Sequence, residues 1–339
     1  MKVSEFMLQL IKELVDVKKI AESSANAYIK SLYMLNGKAP FKTLTFLKKF
    51  EEIEDKIKDY ADNTQKSILS AVVSVLSLFK DKATYKKIYT HYYDKMMGKS
   101  KEMKEAGAES SEKTDKQKEN WIDWGEVKKQ SEGLKEVCAK FGKLVSPEQF
   151  EKLLHYTILS LYTDIQPRRN QDYLDMWVIV RNKKSVPIEE LPKDKNYLIV
   201  DGKVPKQFIF NKFKTHKTYG SQTFDVPVEL ASVLSLYLKH HPLFKGNKNK
   251  TTEFKFLVSA DGTPLSAGNS ITRILNKIFG KKIGSSMLRH IFLSSKYDIG
   301  EMENDASAMG HSVSEQKKYM KRNDSDDEDS DEVEIPTTD

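Results

Sequence analysis

Cysteine is almost absent from this chain of 339 residues, which has Cys138 alone. A single cysteine excludes a disulfide bond within the chain, and it also excludes a cysteine-rich zinc site. The hydrophobic content of 39%, with 16 Phe and 15 Tyr, is nevertheless enough to build packed interiors. We therefore expect Cys138 to have a packing role.

Long hydrophobic runs are missing as well. No stretch approaches the roughly 18 apolar residues of a membrane-spanning helix. Residues 1–19 form an amphipathic pattern that charged residues such as Glu5 and Asp16 interrupt, so we do not expect a signal peptide. Charged residues make up 31% of the chain and the mean hydropathy is negative. We expect a soluble, intracellular protein of the nucleus or the cytoplasm.

Basic side chains outnumber acidic ones except at the C-terminus. Residues 320–339 hold two basic and nine acidic side chains, so residues 1–319 hold 54 basic and 40 acidic ones. A region this basic suits a polyanion such as DNA, because neutralising phosphates releases counterions. Charge alone does not distinguish DNA from RNA, or either of them from an acidic protein.

Length and hydrophobic periodicity predict two domains. Residues 1–97 place apolar side chains at helical spacing, which predicts a bundle of about five helices. In residues 98–120 apolar side chains almost vanish, which indicates a charged linker. Residues 121–322 mix helical and strand periods and are expected to form the second domain. The acidic run of residues 323–339 is expected to be a disordered tail.

The second domain is expected to combine helices with a small antiparallel sheet. Its strands are predicted at residues 176–181, 196–201, 207–213 and 222–228. Its helices are predicted at about residues 125–142, 146–163, 229–240, 269–279, 286–298 and 303–309. Ser146, Pro147 and Gln149 mark the start of the second helix, because they form a capping box with proline at the first helical position. The expected fold class is therefore mainly α with a small antiparallel β-sheet, an α+β protein.

Two arginines, a lysine and a histidine precede a tyrosine along the sequence of this domain. Transfer of a DNA phosphodiester to a side chain needs a nucleophile, cations around the charged phosphorus and an acid for the departing oxygen. The candidates for these roles are Arg169, Lys214, Arg289, His311 and Tyr319.

The local context of the candidates supports this choice. Arg169 belongs to Pro167-Arg168-Arg169, which opens a helix and is followed by Asp172 three residues after Arg169. Lys214 stands at the end of one arm of a predicted hairpin. Arg289 lies beside the apolar face of a later helix.

This ordered series resembles the tyrosine recombinase, or integrase, family, whose signature is Arg, Lys, a His-x-x-Arg step, His or Trp, and Tyr. The Pro-Arg-Arg-x-x-Asp-Tyr step and the Lys-Thr-x-Lys-Thr-Tyr-Gly run look most like versions from eukaryotic mobile elements, virophages and large DNA viruses. The resemblance covers residues 150–322 through these motifs. It extends loosely to residues 20–97, which look like the DNA-clamping N-terminal domain of the family.

The resemblance implies a role for each candidate. Tyr319 would become joined to a DNA 3′-phosphate, while Arg169 and Arg289 would each hold non-bridging phosphate oxygens. Lys214 would protonate the departing 5′-oxygen, and His311 would hydrogen-bond the phosphate or help to deprotonate Tyr319. Because the phosphotyrosine link conserves bond energy, no ATP, metal or other cofactor is expected. The implied partners are double-stranded DNA and three further copies of the chain, joined by exchange of C-terminal segments.

Ser286 departs from the family pattern, which has His three residues before the second arginine. Serine can hydrogen-bond a phosphate oxygen, but it cannot transfer a proton near neutral pH. Lys217 is the alternative to Lys214 at the lysine position. His216 and Lys217 are expected to contact DNA, and Arg168 either to contact the DNA backbone or to pair with an acidic neighbour. Asp172 is expected to support the catalytic site.

Two other functions agree with the same residues. A type IB topoisomerase would use the same chemistry to nick and reseal DNA without exchanging partners. A catalytically weak DNA-binding protein of the same fold is the alternative that Ser286 favours.

Overall fold

The computed structural model describes residues 2–105, 113–182, 185–244, 252–298 and 300–302. The chain divides into two compact units, Met1–Glu112 and Lys113–Asp339. The boundary between them falls within the predicted linker, residues 98–120. The predicted helix at residues 303–309 and the acidic tail lie outside the described residues.

The described part of the first unit is a bundle of five α-helices, as the hydrophobic periodicity predicts. The helices are α1 (Glu5–Asp16), α2 (Glu22–Leu35), α3 (Phe50–Ile57), α4 (Asp62–Leu76) and α5 (Ala83–Glu105), with a 3-10 turn at Thr45–Lys48. Their apolar faces meet in one core, where Leu32, Val72 and Tyr92 are fully buried. The Tyr92 hydroxyl donates a hydrogen bond of 2.9 Å to the Leu47 carbonyl, so its polar end is satisfied inside this core.

The stretch between the two units is more regular than its composition indicates. Helix α5 continues to Glu105, and α6 (Asp115–Asn120) begins with a capping box at Thr114. Asn120 is buried, and its side-chain oxygen accepts a hydrogen bond of 2.9 Å from the Lys282 backbone N–H. Lysine and glutamate favour helix even where no apolar side chain is buried. The described ends of the predicted linker are therefore helical.

The second unit contains seven further helices among the described residues. These are α7 (Trp124–Ala139), α8 (Pro147–Thr163), α9 (Asn170–Leu174), α10 (His216–Tyr219), α11 (Val228–His240), α12 (Ser270–Phe279) and α13 (Ser285–Lys296). Helix α8 begins as predicted, with the Ser146 side chain and Gln149 in a reciprocal capping box and Pro147 in the first turn. Every residue of α8 from Leu153 to Tyr162 is buried, and the core of this unit also contains Cys138.

A five-stranded sheet lies among these helices. The strands are β1 (Trp177–Arg181), β2 (Tyr197–Asp201), β3 (Val204–Phe210), β4 (Gln222–Asp225) and β5 (Glu253–Lys255), in the spatial order β4-β3-β2-β1-β5. One face packs in the main core through Phe208 and Phe210, and the other carries a smaller cluster around Tyr197 and Ile199. The mainly α, α+β fold class is therefore confirmed.

The expectation of a purely antiparallel sheet is wrong in one pairing. Strands β1 and β2 run parallel, with Trp177 opposite Tyr197, whereas the other three pairings are antiparallel. A parallel pair needs a connection of about a dozen residues or more, and residues 182–196 supply it. Strand β5 has only three residues, too few for a periodic signal, and it was not predicted.

Strand β3 ends earlier than predicted, at Phe210 rather than at residue 213. The backbone N–H groups of Asn211 and Lys212 donate hydrogen bonds to the side-chain oxygen of Asn196, at 2.9 Å and 2.7 Å. Since these donors are used by a side chain, they do not extend the strand ladder. Strand β4 likewise ends at Asp225, and Val228 already belongs to α11.

Within the part of the chain that the structure describes, none of the α-helices has both the length and the apolar composition that a membrane span requires.

Two buried histidines make the stability of the second unit depend on pH. Burial lowers the pKa of His155 and that of His241 to about 4 each, whereas histidine in an unfolded chain titrates near about 6.5. Between these values the unfolded chain binds more protons than the folded one. The stability that the neutral histidines contribute is therefore fully present above the unfolded pKa, and it is lost as the pH falls toward 4.

We predict that the free energy of unfolding decreases when the pH is lowered from 7 to 4.5. Urea denaturation at several pH values measures this decrease, which should be about 1–3 kcal/mol for each buried histidine. His155→Leu should flatten the pH dependence, while the same change at the exposed His290 should leave it as in the wild type. Equal slopes for the wild type and His155→Leu would refute the explanation.

Candidate functional site

The first arginine pair lies where the chain passes from α8 to α9. Helix α8 ends at Thr163 and α9 begins at Asn170, so Arg168 and Arg169 stand just before a new helix. Arg169 is the N-cap residue, with an extended backbone (φ −77°, ψ 146°) and no side-chain capping bond. The α9 helix therefore leaves the Arg169 guanidinium free for other contacts.

Arg168 is bound within the protein by several partners. Its Nε donates a hydrogen bond of 2.9 Å to Asp172 Oδ2, and its Nη1 donates one of 3.1 Å to Gln222 Oε1. The guanidinium carbon lies 4.0 Å from the centroid of the Phe210 ring, and the side chain is 18% exposed. Of the two roles expected for Arg168, the structure therefore places it in an ion pair with an acidic neighbour.

Asp172 is almost fully buried beneath the arginines. Burial raises the pKa of its carboxyl group, while the positive charges of Arg168, Arg169 and Arg289 act in the opposite direction. Only one carboxylate oxygen is paired, because Oδ1 is buried without a hydrogen-bond partner among the described residues. The carboxylate therefore has one oxygen without a hydrogen bond from the described residues, while three cations interact with the group electrostatically.

Arg289 lies on α13, far along the sequence from Arg169 and Asp172, and it interacts electrostatically with both. Helix α13 buries Leu288 and Ile291 in the core, which fixes the face that carries Arg289. The Arg289 Nε donates to the Ser285 carbonyl at 3.3 Å. Burial lowers the pKa of the Arg289 guanidinium, and the like charge of Arg169 acts in the same direction.

A chain of partly buried hydrogen bonds links the segments that carry Arg169 and Arg289. The Tyr162 hydroxyl donates to Asn170 Oδ1 at 2.7 Å, and Asn170 Nδ2 donates to the Thr272 hydroxyl at 2.8 Å. Thr272 in turn packs against Gly284, where an added Cβ would lie only 3.4 Å from the threonine methyl group. Asn170 follows Arg169 directly and Gly284 precedes α13, so the two arginines are held in a defined relation.

The three arginines line one cavity of about 300 Å³, which we call the arginine cavity. Its other lining residues are Gln166, Pro167, Asp172, Phe213, Thr215, Tyr219 and Gln222. Arg169 and Arg289 make no ion pair among the described residues. Asp172 lines the same cavity but is hydrogen-bonded to Arg168. Two further guanidinium groups in the cavity suit a phosphate group, because each presents a planar fork of donors.

Lys214, the predicted acid, stands next to the arginine cavity but does not line it. It lies in the turn between β3 and α10, four residues beyond the end of the strand on which it was expected, and its side chain is exposed. Its neighbours Phe213 and Thr215 both line the cavity. The lysine is therefore on the segment that borders the cavity, with its side chain outside.

The remaining predicted residues are placed as follows. His216 and Lys217 are exposed on α10, and His216 Nδ1–H donates to the Phe213 carbonyl at 2.9 Å. Ser286 is exposed in the first turn of α13. His311 and Tyr319 lie outside the described residues.

Sequence reasoning missed several residues of this site. Asn170, Asn196 and Gln222 are single polar residues whose partners are distant in sequence, so no spacing signal reveals them. Tyr219 lines the cavity with a 66% exposed side chain, and the only signal was its place in the Lys-Thr-x-Lys-Thr-Tyr-Gly run. No cluster of three or more His, Cys, Asp or Glu residues within the described ranges is arranged to hold a metal ion.

Comparisons of the chain with models of protein families, with curated proteins and with solved structures gave no match.

The neighbouring arginines are predicted to respond differently to substitution. Arg168→Ala should lower the free energy of unfolding by about 3–5 kcal/mol, because it leaves the Asp172 carboxylate buried without its ion-pair partner. Arg169→Ala should change it by less than about 1 kcal/mol, because Arg169 has no ion-pair partner to lose. Urea denaturation of the two variants measures the difference. Equal destabilisation would contradict the roles that the contacts assign.

Proposed function

We propose that this protein is a tyrosine recombinase or integrase, which cleaves and rejoins DNA strands through a covalent 3′-phosphotyrosine. The observation that carries the proposal is the convergence of Arg169 and Arg289, from distant parts of the sequence, on one cavity. The resemblance names these two arginines as the residues that bind the scissile phosphate. Their joint presence in a cavity of suitable size is an independent support for that assignment.

The geometry favours Arg169 over Arg168 as the first phosphate-binding arginine. Arg168 is already engaged by Asp172, Gln222 and the Phe210 ring, and moving it would leave Asp172 buried and unpaired. Arg169 has no such contacts, so a phosphate would not have to displace an existing partner. The role of Arg168 is therefore to hold the cavity together.

The proposed cleavage step forms one bond, breaks one bond and transfers two protons. The Tyr319 oxygen attacks the phosphorus, the bond from phosphorus to the 5′-oxygen breaks, and the 5′-oxygen takes a proton from Lys214 Nζ. The phenolic proton passes to His311, or to solvent water if His311 instead hydrogen-bonds the phosphate. Arg169 and Arg289 neutralise the charge that develops on the non-bridging oxygens. Attack by a 5′-hydroxyl on the phosphotyrosine reverses these events, so the bond energy is retained.

The positions of Lys214 and Ser286 set two conditions on this mechanism. The exposed Lys214 side chain has to turn toward the cavity when DNA is bound, which the turn at residues 211–215 allows better than a strand. Ser286 can donate a hydrogen bond to a phosphate oxygen, but it cannot supply a proton. Proton transfer therefore depends on Lys214 and His311.

The substrate and the assembly are part of the same proposal. Double-stranded DNA is the substrate that the basic residues 1–319 suit, and the first unit would serve as the DNA-clamping domain of the family. Four protomers would assemble on DNA through exchange of their C-terminal segments. The protein would act in the nucleus or the cytoplasm of a host cell.

Covalent trapping on DNA tests the proposed function. Nicked duplexes that carry candidate recombination sites should form a covalent adduct with the wild type, and mass spectrometry of the adduct should identify Tyr319. Tyr319→Phe should abolish the adduct, and Arg169→Ala should slow its formation about 10²–10³-fold, the usual effect of removing a donor to a transition-state oxyanion. Wild-type protein that binds DNA but forms no adduct would be a DNA-binding protein without strand-transfer activity.

A second assay separates the recombinase from the topoisomerase. DNA that carries two sites should lose the intervening segment if the protein exchanges strands between partners. Relaxation of supercoiled DNA with no excision product would instead assign a type IB topoisomerase activity.

A further inference from the structure

Asn196 is a buried side chain that binds two separate parts of the site. It is 6% exposed and lies just before β2. Its Nδ2 donates to the Asp172 carbonyl at 2.8 Å and to the Lys212 carbonyl at 2.9 Å. Its Oδ1 accepts hydrogen bonds from the backbone N–H groups of Asn211 and Lys212. The amide thus uses both of its donors and both acceptor positions on backbone groups.

These four bonds join the two sides of the arginine cavity. Asp172 lies on α9, three residues after Arg169, while residues 211 and 212 begin the turn that carries Lys214. On the cavity side of that turn, Phe213 is buried, and its ring centroid lies 5.2 Å from the Arg168 guanidinium carbon. The base of the turn is therefore fixed relative to the arginines, whereas Lys214 itself is exposed.

A second contact supports the same turn. The Asn211 side-chain amide donates a hydrogen bond of 2.9 Å to the Lys195 carbonyl, next to Asn196 in the chain. Together, Asn196 and Asn211 end strand β3 at Phe210 and set the register of residues 211–215 against α9. Continued strand pairing would instead carry the chain along the sheet.

We propose that Asn196 is a positioning residue, which holds the turn at residues 211–215 so that Lys214 can deliver its proton to the departing 5′-oxygen. The inference rests on the proposed function and deepens it, since it assigns the geometry of one proton transfer to a residue that touches neither DNA nor the nucleophile. Misplacement of a catalytic group by about 1 Å costs on the order of 10²-fold in rate. The loss of the Asn196 bonds should therefore slow the acid-dependent step.

Asn196→Asp tests the role of the two donor hydrogen bonds, because it keeps the shape of the side chain and the acceptor oxygen. It replaces the two N–H donors by an oxygen that faces the carbonyls of Asp172 and Lys212. Asn211→Ala is a milder second variant, which removes one support of the same turn without burying an unpaired amide. Both variants should slow cleavage of ordinary DNA, Asn196→Asp by about 10²-fold and Asn211→Ala by less.

A substrate with sulfur in place of the scissile 5′-oxygen separates positioning from general damage. A thiolate leaves without being protonated, because the pKa of a thiol is about 8.5. Lys214→Ala, Asn196→Asp and Asn211→Ala should therefore all cleave the sulfur substrate at rates within about tenfold of the wild type. A variant that is only misfolded would remain slow on both substrates.

Asn120→Asp is the matched control, since Asn120 is equally buried and also binds backbone groups of the second unit. It should lose stability but keep the wild-type ratio of oxygen to sulfur cleavage rates.

The outcomes distinguish this inference from the proposed function. If the wild type forms no adduct with either substrate, the proposed function fails. If sulfur rescues Lys214→Ala but not Asn196→Asp or Asn211→Ala, the positioning role alone is refuted. If the sulfur substrate rescues Lys217→Ala but not Lys214→Ala, Lys217 on α10 is the acid. That result would also overturn the positioning role of Asn196.

Discussion

The ion pair between Arg168 and Asp172 is the interaction on which the arginine cavity depends. The Asp172 side chain is almost fully buried, and an unpaired carboxylate at such a position would lower the free energy of unfolding by several kcal/mol. Arg168 compensates for that cost, and its planar guanidinium also lies against Phe210 and binds Gln222 of β4. One side chain thereby fixes α9 to the hairpin of β3 and β4, and these elements form two of the cavity walls.

Arg169 and Arg289 line the same cavity, where their like charges repel each other. Burial lowers the pKa of the Arg289 guanidinium, and the like charge of Arg169 acts in the same direction. Asp172 compensates only in part, because Arg168 already holds one of its oxygens. Binding of an anion would relieve this repulsion. Because the hydrogen bonds from Tyr162 through Asn170 to Thr272 hold the segments in place, little reorganisation would accompany that binding.

The sequence predicts those parts of the fold that depend on local signals. The capping box at Ser146 locates α8, and alternating apolar residues locate β1 and β2 within one residue. Long-range relations were not predictable. The parallel pairing of β1 and β2 depends on how a long connection folds back, and the end of β3 depends on Asn196, a single side chain that precedes another strand.

Arg168 and Arg169 have different roles in the structure, and the sequence motif predicted these roles only in part. The spacing of three residues between Arg169 and Asp172 favoured Arg169 as the functional arginine, and an acidic partner was one of the two roles expected for Arg168. The structure pairs Arg168 with Asp172, four residues after it. The reason is that α9 begins only at Asn170, so Arg168 and Arg169 occupy extended backbone, where successive side chains point in different directions. One of them then turns inward to Asp172. The other is left to face Arg289 in the cavity, and this division of roles follows from where the helix starts.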